Sequence, residues 1–484
     1  MQYANAYDLG TVELQNRFAD FDRMAELQRR AKKDTARVKT TPPGLVAHKP
    51  PTKPDGQEFL QDLDAIRTHQ APPPASPVAE EFSLVGDIAE ALYDTGEHVL
   101  AAETMFPDKF VVGKAPGVTF SYGQLIALAD MFESVNQLIA TDAAELKKVK
   151  ALLEKSTRYY KSGKAGANVT NEEWDQATAG RYLRLAEDNY DHFAPNILFK
   201  GGPFAKGTSR YGNHKTAWER HHKWALEEAR KDPNMAGPGY FAQWPLTINA
   251  FGDHFLTDAF AAGHVVNKEV VVDYYKASFY SSGSLTADGK AFFEEVAAKA
   301  FTGDVAKKFS GLDTAKPYDA WWNVVNWNPN INSTGRFSAL LVGIAEKEPD
   351  RIGNLAIKAL HDKLNKDGIN VENKAGSGSW QLTGDGYLTA KTLAVMRQAV
   401  EQSVANVLNP AIRTGTIDFS AYFDKVWLYV PRLTAASEAS VNSLIVSYVT
   451  PTSALLVDAA AKLIGQEVDT LIKALLDKGV LKKA

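Results

Sequence analysis

Apolar residues recur at spacings of three and four along most of the chain from residue 81 onward. The stretches with this spacing are 82–103, 121–160, 172–192, 215–231, 245–265, 289–308, 335–366, 387–409 and 434–476. Such spacing places apolar side chains on one face of an α-helix, and the period-two alternation of strands is scarce. One short hairpin is predicted between Ile369 and Leu382, including Val371 and Trp380. The sequence therefore predicts an all-α fold with a large multi-helix core.

The first 80 residues differ from the rest of the chain. Residues 11–39 predict a polar amphipathic helix that ends in a cluster of arginines and lysines, the pattern of a solvated helix or docking arm. Residues 42–77 contain nine of the 22 prolines, which is typical of a semi-rigid extended linker. We therefore predict a flexible N-terminal arm over residues 1–80 and a helical domain over 81–484, in which a C-terminal subdomain could begin at about residue 311.

Composition and charge exclude several classes of protein. The 484 residues are 45% hydrophobic and 23% charged, as in ordinary globular proteins, which argues against wholesale disorder. The formal net charge of -4 argues against binding of duplex nucleic acid through bulk positive charge. The chain has no cysteine, so disulfides, thiolate metal sites and cysteine nucleophiles are excluded.

The sequence shows no targeting or membrane-spanning segment. The opening residues, MQYANAYDLG, have neither the basic start nor the apolar core of a secretory signal. We expect a cytoplasmic protein, a protein secreted by a non-classical route, or one whose signal has been removed. No apolar run reaches the ~18 residues that a transmembrane helix needs.

The strongest chemical signal lies around residue 254. The segment NAFGDHFLTDAFAAGH places His254, Asp258 and His264 on one predicted helical stretch, 245–265. His254 and Asp258 are four residues apart, so their side chains meet on one face, whereas His264 points roughly 80° to the side. Gly263 would allow another backbone or a ligand to come close. Because unpaired ionisable groups are costly in such an apolar segment, we predict metal ligands; the alternative is two buried, hydrogen-bonded histidines.

This segment resembles the zinc-ligand helix of the zinc-dependent phospholipase C and single-strand nuclease superfamily, whose core helix reads His-x-x-Gly-Asp-x5-His. Thr257 stands where that family has the glycine before the aspartate. Upstream, SYGQLIALADMF, which contains Asp130, is similar to the family's helix with an early aspartate ligand. YDHFAPN, which contains His192, is similar to its His-Phe ligand turn. The segments also resemble Het-C-type (heterokaryon-incompatibility) fungal proteins and a related bacterial group of phosphatidylcholine-hydrolysing phospholipases C.

The resemblance implies an all-α core of the zinc-dependent phospholipase C type and a centre of two or three zinc ions. The first ion would be bound by two aspartates and two histidines: Asp130, His192, His254 and Asp258. Asp258 would bridge to a second ion that His98 also binds. Histidine and carboxylate ligands without thiolate suit zinc, and calcium, which prefers oxygen, is the alternative for an additional ion.

The resemblance implies a further ion, bound by His264 and a later histidine. His361 is the only histidine after His264 and is therefore the candidate. The family places a carboxylate four residues beyond that histidine, where this chain has Asn365, a weaker ligand. Asp362 and Asp385 are the alternative carboxylates.

The family also uses a mature N-terminal tryptophan, whose amine and carbonyl bind metal. The equivalent stretch of this chain is internal, and Asp87, eleven residues before His98, is the candidate replacement. The other histidines of the helical region are expected to be structural, with His221 and His222 on a solvated helix and His214 in a surface loop.

Clustered divalent ions favour phosphate-ester hydrolysis, because they neutralise non-bridging oxygens, lower the pKa of a bound water towards ~7 and stabilise the leaving oxygen. Asp130 would be both a ligand and the general base that orients the water. The resemblance implies a phospholipase C-type hydrolase that acts on phosphatidylcholine-type phospholipids at a membrane surface. Its products would be diacylglycerol and a phosphorylated headgroup.

Two alternative functions are open on the sequence alone. A single-strand nuclease of the same superfamily would need aromatic side chains that stack on bases, which Trp218, Trp224 and Trp244 could supply. The acidic charge balance argues weakly against it. A non-catalytic Het-C-like interaction or toxin protein fits Asn365 and the missing N-terminal ligand. The headgroup, the substrate-binding residues, protein partners and the oligomeric state are left open.

Overall fold

The computed structural model describes residues 95–106, 110–112, 117–187, 189–195, 211–231, 243–314, 330–347, 349–413, 416–466, 468–477, 479 and 481–484. The predicted N-terminal arm, residues 1–80, lies outside these residues, so its helix and linker stay predictions. The domain boundaries at residue 80 and at about residue 311 stay predictions as well.

The described residues form a mainly α-helical structure, as the apolar spacing predicts. Helices make up 68% of them. In chain order the α-helices are α1 Thr95–Ala101, α2 Tyr122–Ala127, α3 Val135–Ala140, α4 Ala143–Lys161, α5 Asn171–Ala177, α6 Arg181–Glu187, α7 His214–Lys231, α8 Gln243–Asp258, α9 Lys268–Phe279, α10 Ala287–Ala300, α11 Gly303–Phe309, α12 Thr334–Lys347, α13 Pro349–Asp367, α14 Ala390–Val407, α15 Phe419–Trp427, α16 Ala435–Tyr448, α17 Ala454–Gln466 and α18 Val468–Asp477. In this part of the chain no helix has both the length and the apolar character to span a bilayer.

Short antiparallel strands join some of the helices. They are β1 Phe110–Val111, β2 Thr119–Phe120, β3 Tyr280–Ser281, β4 Ser284–Leu285, β5 Leu312–Thr314, β6 Ile369–Glu372, β7 Trp380–Leu382, β8 Arg432–Leu433 and β9 Leu481–Lys483. β1 pairs with β2, β3 with β4 and β5 with β9, while β6 pairs with both β7 and β8. The predicted hairpin is confirmed, because β6 and β7 are antiparallel with Val371 opposite Trp380. β8 adds a third strand that the sequence did not predict.

Side-chain caps divide the predicted helical stretch 121–160 into shorter helices. The 3-10 turn Leu128–Asp130 follows α2. The Ser134 hydroxyl accepts a backbone N–H at the start of α3, and the Asp142 carboxylate accepts two at the start of α4. A side chain that accepts the free backbone N–H groups of a first turn stabilises the start of a helix at that position. The apolar spacing indicates the helical region but not these interruptions, and it does not indicate α9 or α15.

α8 is buried along its whole length. It packs against α7, α2 and α14. A helix that is buried on every side must find partners for its polar side chains inside the protein. The Asp253 carboxylate accepts hydrogen bonds from the Tyr122 hydroxyl at 2.8 Å, the Trp218 indole at 2.9 Å, the Ser403 hydroxyl at 2.6 Å and the Asn249 amide at 3.1 Å. These donors lie on α2, α7, α14 and α8 itself, so the carboxylate joins all four helices and fixes the rotation of α8.

We expect Tyr122→Phe to lower the free energy of unfolding by about 1–3 kcal/mol, because it removes a donor to a buried carboxylate and keeps the ring. Chemical denaturation measures the loss. Tyr387→Phe, at a tyrosine that is 48% exposed, is the matched control and should change stability little. Unchanged stability of the Tyr122 variant would contradict the role of this network.

Candidate metal centre

The predicted ligands that lie within the described residues are all buried and come together. They are His98, Asp130, His192, His254, Asp258, His264 and His361, and none is more than 7% exposed. Asp87 lies outside the described residues. In the described part of the chain, three groups of histidines and aspartates have ligand atoms within 4.8 Å of one another. Several buried groups could therefore hold a metal ion, and the role of each residue as a ligand stays a prediction.

The first group is Asp130, His192 and His254. His254 Nε2 lies 3.3 Å from Asp130 Oδ1 and 2.9 Å from His192 Nδ1. His254 lies on α8, Asp130 ends the 3-10 turn after α2, and His192 ends the 3-10 turn Tyr190–His192. Three separate elements thus each present one ligand atom to the same small volume.

Asp258, one helical turn after His254, lies between two sets of histidines. Its Oδ2 is 3.0 Å from His192 Nδ1 and 3.4 Å from His254 Nε2. Its Oδ1 is 3.6 Å from His98 Nε2 and 3.6 Å from His264 Nδ1. His98, His254 and Asp258 form the second group. Because its two oxygens face different histidines, this carboxylate could contact two neighbouring ions.

The third group is His264, His361 and Asp385. Asp385 Oδ2 lies 2.7 Å from His361 Nε2 and 3.4 Å from His264 Nε2. The other alternative carboxylate, Asp362, contacts His361 at Nδ1 instead, at 3.2 Å, and its side chain is 51% exposed. The geometry therefore favours Asp385 as the carboxylate beside both histidines.

His264 does not lie on α8, contrary to the prediction of one helical stretch. α8 ends six residues earlier, and His264 lies on the 3-10 turn Ala262–Val265. A Cβ on Gly263 would lie 2.2 Å from His361 Cδ2, so only glycine allows this turn to approach α13 so closely. The close approach predicted at Gly263 is thus made by a side chain of α13. By leaving the helix, the chain brings His264 beside His361.

Asp130 shows why a cation fits this centre. Burial raises the pKa of its carboxyl well above the usual range, and the carboxylates of Asp258 and Asp385 raise it further. The Thr95 hydroxyl is nearby, but neither oxygen of Asp130 accepts a hydrogen bond of standard geometry. A divalent cation would supply the missing positive partner. The imidazole and carboxylate donors around it are compatible with zinc.

The charges of the remaining groups depend on their neighbours. Burial opposes the charge on Asp258 and Asp385, but the surrounding imidazoles outweigh it and hold both pKa values below the usual range. Burial also opposes the charge on His264, yet the two carboxylates and a backbone carbonyl raise its pKa to about 9. Burial lowers the pKa of His98 and His254, which favours their neutral forms. His264 therefore carries a proton at neutral pH that an incoming ion would displace.

We expect the Zn²⁺ ion beside His264, His361 and Asp385 to displace the proton of His264, so that the affinity for this ion rises about tenfold per pH unit between about pH 6 and pH 8. The sign follows from the pKa of about 9, since below it the ion competes with the proton. Isothermal titration in buffers of different ionisation enthalpy counts the released protons. An affinity that does not change over this range would contradict the charge assigned to His264.

Thr257, at the position of the family's glycine, contacts one of these histidines. Its hydroxyl donates to the backbone carbonyl of His254 at 2.8 Å and lies 2.7 Å from His98 Nδ1. Because the hydroxyl proton goes to the carbonyl, Thr257 accepts the N–H of His98, and the lone pair of His98 Nε2 faces Asp258. Such contacts orient metal-binding histidines. Sequence reasoning missed this role, because His98 and Thr257 are 159 residues apart.

We expect Thr257→Val to weaken zinc binding by about 10–100-fold, because valine keeps the shape of threonine and lacks the acceptor. Thr257→Ser keeps the hydroxyl and should bind zinc as the wild-type protein does. Equilibrium dialysis followed by metal analysis measures both affinities. If the valine variant binds as tightly as the serine variant, Thr257 does not orient His98.

Three other histidines, predicted in solvated positions, are buried. His221 and His222 on α7 are 8% and 0% exposed, so this face of the helix is not solvated. His222 Nδ1 lies 2.6 Å from Asn249 Oδ1, next to the hydrogen bonds of Asp253. His214, expected in a surface loop, is the first residue of α7 and is also buried. The prediction was wrong because the polar composition of α7 does not reveal that it packs along α8.

No protein-family model matches the sequence, and no curated protein or solved structure matches it either. The resemblance to the zinc-dependent phospholipases C therefore stays a prediction from the motifs. The chemistry of the site itself is the ground for a functional proposal.

Proposed function

We propose that this chain is a metal-dependent phosphodiester hydrolase of the zinc-dependent phospholipase C type. The observation that carries the proposal is the position of Asp258 between two sets of histidines, with Asp130 on one side. The group of His264, His361 and Asp385 lies beside them. A structural zinc site needs only four ligands, so this many buried ionisable side chains fit several ions better than one. Adjacent divalent ions are suited to the in-line displacement of phosphodiester hydrolysis.

Two or three zinc ions would share the buried ligands. The residues that would bind them are His98, Asp130, His192, His254, Asp258, His264, His361 and Asp385. When bound, the ions would neutralise phosphate oxygens, lower the pKa of a water molecule and stabilise the leaving oxygen.

Asp130 is the general base in this proposal. It lies 3.3 Å from His254, and neither of its oxygens has a hydrogen-bond partner of standard geometry. A bound cation would favour the ionised form of Asp130, and one oxygen would then contact the ion while the other accepts a proton from water. Its complete burial keeps bulk water away, which strengthens its electrostatic contacts.

The proposed substrate is a phosphatidylcholine-type phospholipid. The water oxygen would form a bond to phosphorus, and Asp130 would accept the proton that the water loses. The bond between phosphorus and the glycerol oxygen would break, and that oxygen would take up a proton. The products would be diacylglycerol and phosphocholine.

A single-strand nuclease is the second candidate, and two of the three tryptophans that could support it are buried. Trp218 is fully buried and donates to Asp253. Trp244 is 8% exposed and packs edge-on against Trp224, with the ring centroids 5.8 Å apart. A nuclease that binds single strands needs ring faces on which bases can stack. The burial of Trp218 and Trp244 therefore argues against stacking of bases on these two rings.

Release of phosphocholine from phosphatidylcholine vesicles tests the proposal. We expect release that a chelator abolishes and added Zn²⁺ restores. His254→Ala should lower the rate by about 100-fold or more and reduce bound zinc, because His254 belongs to two of the groups. His221→Gln, on the neighbouring helix, is the matched control and should retain both rate and zinc.

Each negative outcome has a distinct meaning. No phosphocholine release with zinc bound would point to a single-stranded DNA oligonucleotide as the next substrate to test. Zinc binding without hydrolysis of either substrate would support the non-catalytic interaction protein. Absence of zinc binding would remove the metal centre from the proposal.

A further inference from the structure

The turn after β7 brings Asp385 to the histidines of the third group. Asp385 lies between Gly384 and Gly386, and its backbone φ is 32°, in the left-handed region that residues other than glycine rarely adopt. A strained conformation of this kind persists only where the surroundings determine it. Contacts around the turn must therefore hold Asp385 in place.

Gly384 packs directly on the chain segment that leads to His264. A Cβ on Gly384 would lie 2.6 Å from the Cα of Ala261 and 3.0 Å from Asn365 Oδ1. Ala261 immediately precedes the 3-10 turn that carries His264. A larger residue at this position would push the two turns apart, so the contact sets the distance between Asp385 and His264.

Asn365 contacts the same carboxylate but is not placed to be a metal ligand itself. Its Oδ1 accepts the backbone N–H of Gly263 at 2.6 Å, and its Nδ2 donates to Asp385 Oδ2 at 2.9 Å. Nδ2 also lies 3.1 Å from His361 Nε2. An amide nitrogen is a donor only, so it offers a metal ion no lone pair. The contacts of Asn365 therefore orient Asp385.

Glu97 contacts the turn from the side of α1. Its Oε1 accepts the backbone N–H groups of Gly386 at 3.0 Å and Leu388 at 3.1 Å. Glu97 is 6% exposed and directly precedes His98. The same short helix thus carries a histidine of the second group and supports the turn that presents Asp385.

We propose that Asp385 is the carboxylate ligand of an ion bound with His264 and His361, and that Asn365 and Glu97 are its positioning residues. This inference rests on the metal centre of the proposed function and names a ligand that the family pattern would place at residue 365. The carboxylate comes instead from a turn twenty residues further along the chain.

The donor atoms of this third group suit a zinc-type divalent ion. His264 Nδ1 donates to the backbone carbonyl of His192 at 2.8 Å, so Nε2, on the side of Asp385, is the nitrogen that would bind an ion. Together with His361 Nε2 and Asp385 Oδ2, the group offers an ion two nitrogen atoms and one oxygen atom. Three protein donors leave a coordination position for water or substrate, as in catalytic zinc sites.

Metal titration of the whole chain tests the ligand assignment. Zn²⁺ stoichiometry by equilibrium dialysis is compared between wild type, Asp385→Asn, Asn365→Ala and Asp367→Asn. We expect Asp385→Asn to weaken one ion by about 100-fold and leave the others bound, and Asn365→Ala to weaken the same ion by about 10-fold. Asp367, on the same helix as His361 and paired with Lys363 at the surface, is the control and should behave as wild type.

Two substitutions at Glu97 test its positioning role. Glu97→Ala removes the acceptor and should weaken the same ion by about 10-fold, whereas Glu97→Gln keeps an oxygen that accepts both N–H groups and should restore the affinity. The d–d absorption of bound Co²⁺ provides a second measurement, because it reports the coordination of each ion separately from hydrolysis. Loss of one Co²⁺ signal in the alanine variant and its return in the glutamine variant are the expected results.

Equal zinc stoichiometry and affinity in Asp385→Asn and wild type would overturn the ligand assignment while leaving the remaining metal centre intact. Loss of an ion in Asn365→Ala together with full binding in Asp385→Asn would overturn it as well and identify Asn365 as the ligand. If Glu97→Ala and Glu97→Gln both bind as wild type, the role of Glu97 is wrong. Absence of zinc from the wild-type protein would overturn this inference together with the proposed function.

Discussion

Asp258 keeps its negative charge inside the protein, at 1% exposure, with imidazoles on both sides of its carboxylate. A buried carboxylate is costly unless partners surround it. Its partners come from α1, from α8 and from the two 3-10 turns that carry His192 and His264. One buried carboxylate therefore contacts histidines from four separate elements and links their positions.

The orientation of α8 makes this arrangement possible. One face of the helix presents His254 and Asp258 to the metal centre, and another presents Asn249 and Asp253 to α2, α7 and α14. Because four donors meet the Asp253 carboxylate, a rotation of α8 would break hydrogen bonds to a group that is fully buried. The hydrogen bonds on one face thus fix the rotation of α8, and with it the positions of His254 and Asp258 on the other face.

The positions at which the chain departs from the family pattern have contacts of their own. Thr257 accepts the N–H of His98, and Asn365 lies between Gly263 and Asp385. Thr257 contacts His98, and Asn365 contacts His361 and Asp385, so both polar side chains lie against candidate ligands. The departures at Thr257 and Asn365 are therefore compatible with metal binding by the surrounding groups.

Local periodicity in the sequence determined the helical class, the hairpin of β6 and β7, and the shared face of His254 and Asp258, because these features depend on residues a few positions apart. The motifs also indicated His98, His192 and His361, although not the distances between them. Only the tertiary structure decided that Asp385 lies beside His264, that His264 leaves α8, and that the face of α7 with its histidines is buried. These features depend on close contacts between residues far apart in the chain, and apolar spacing carries no information about which distant side chains will meet.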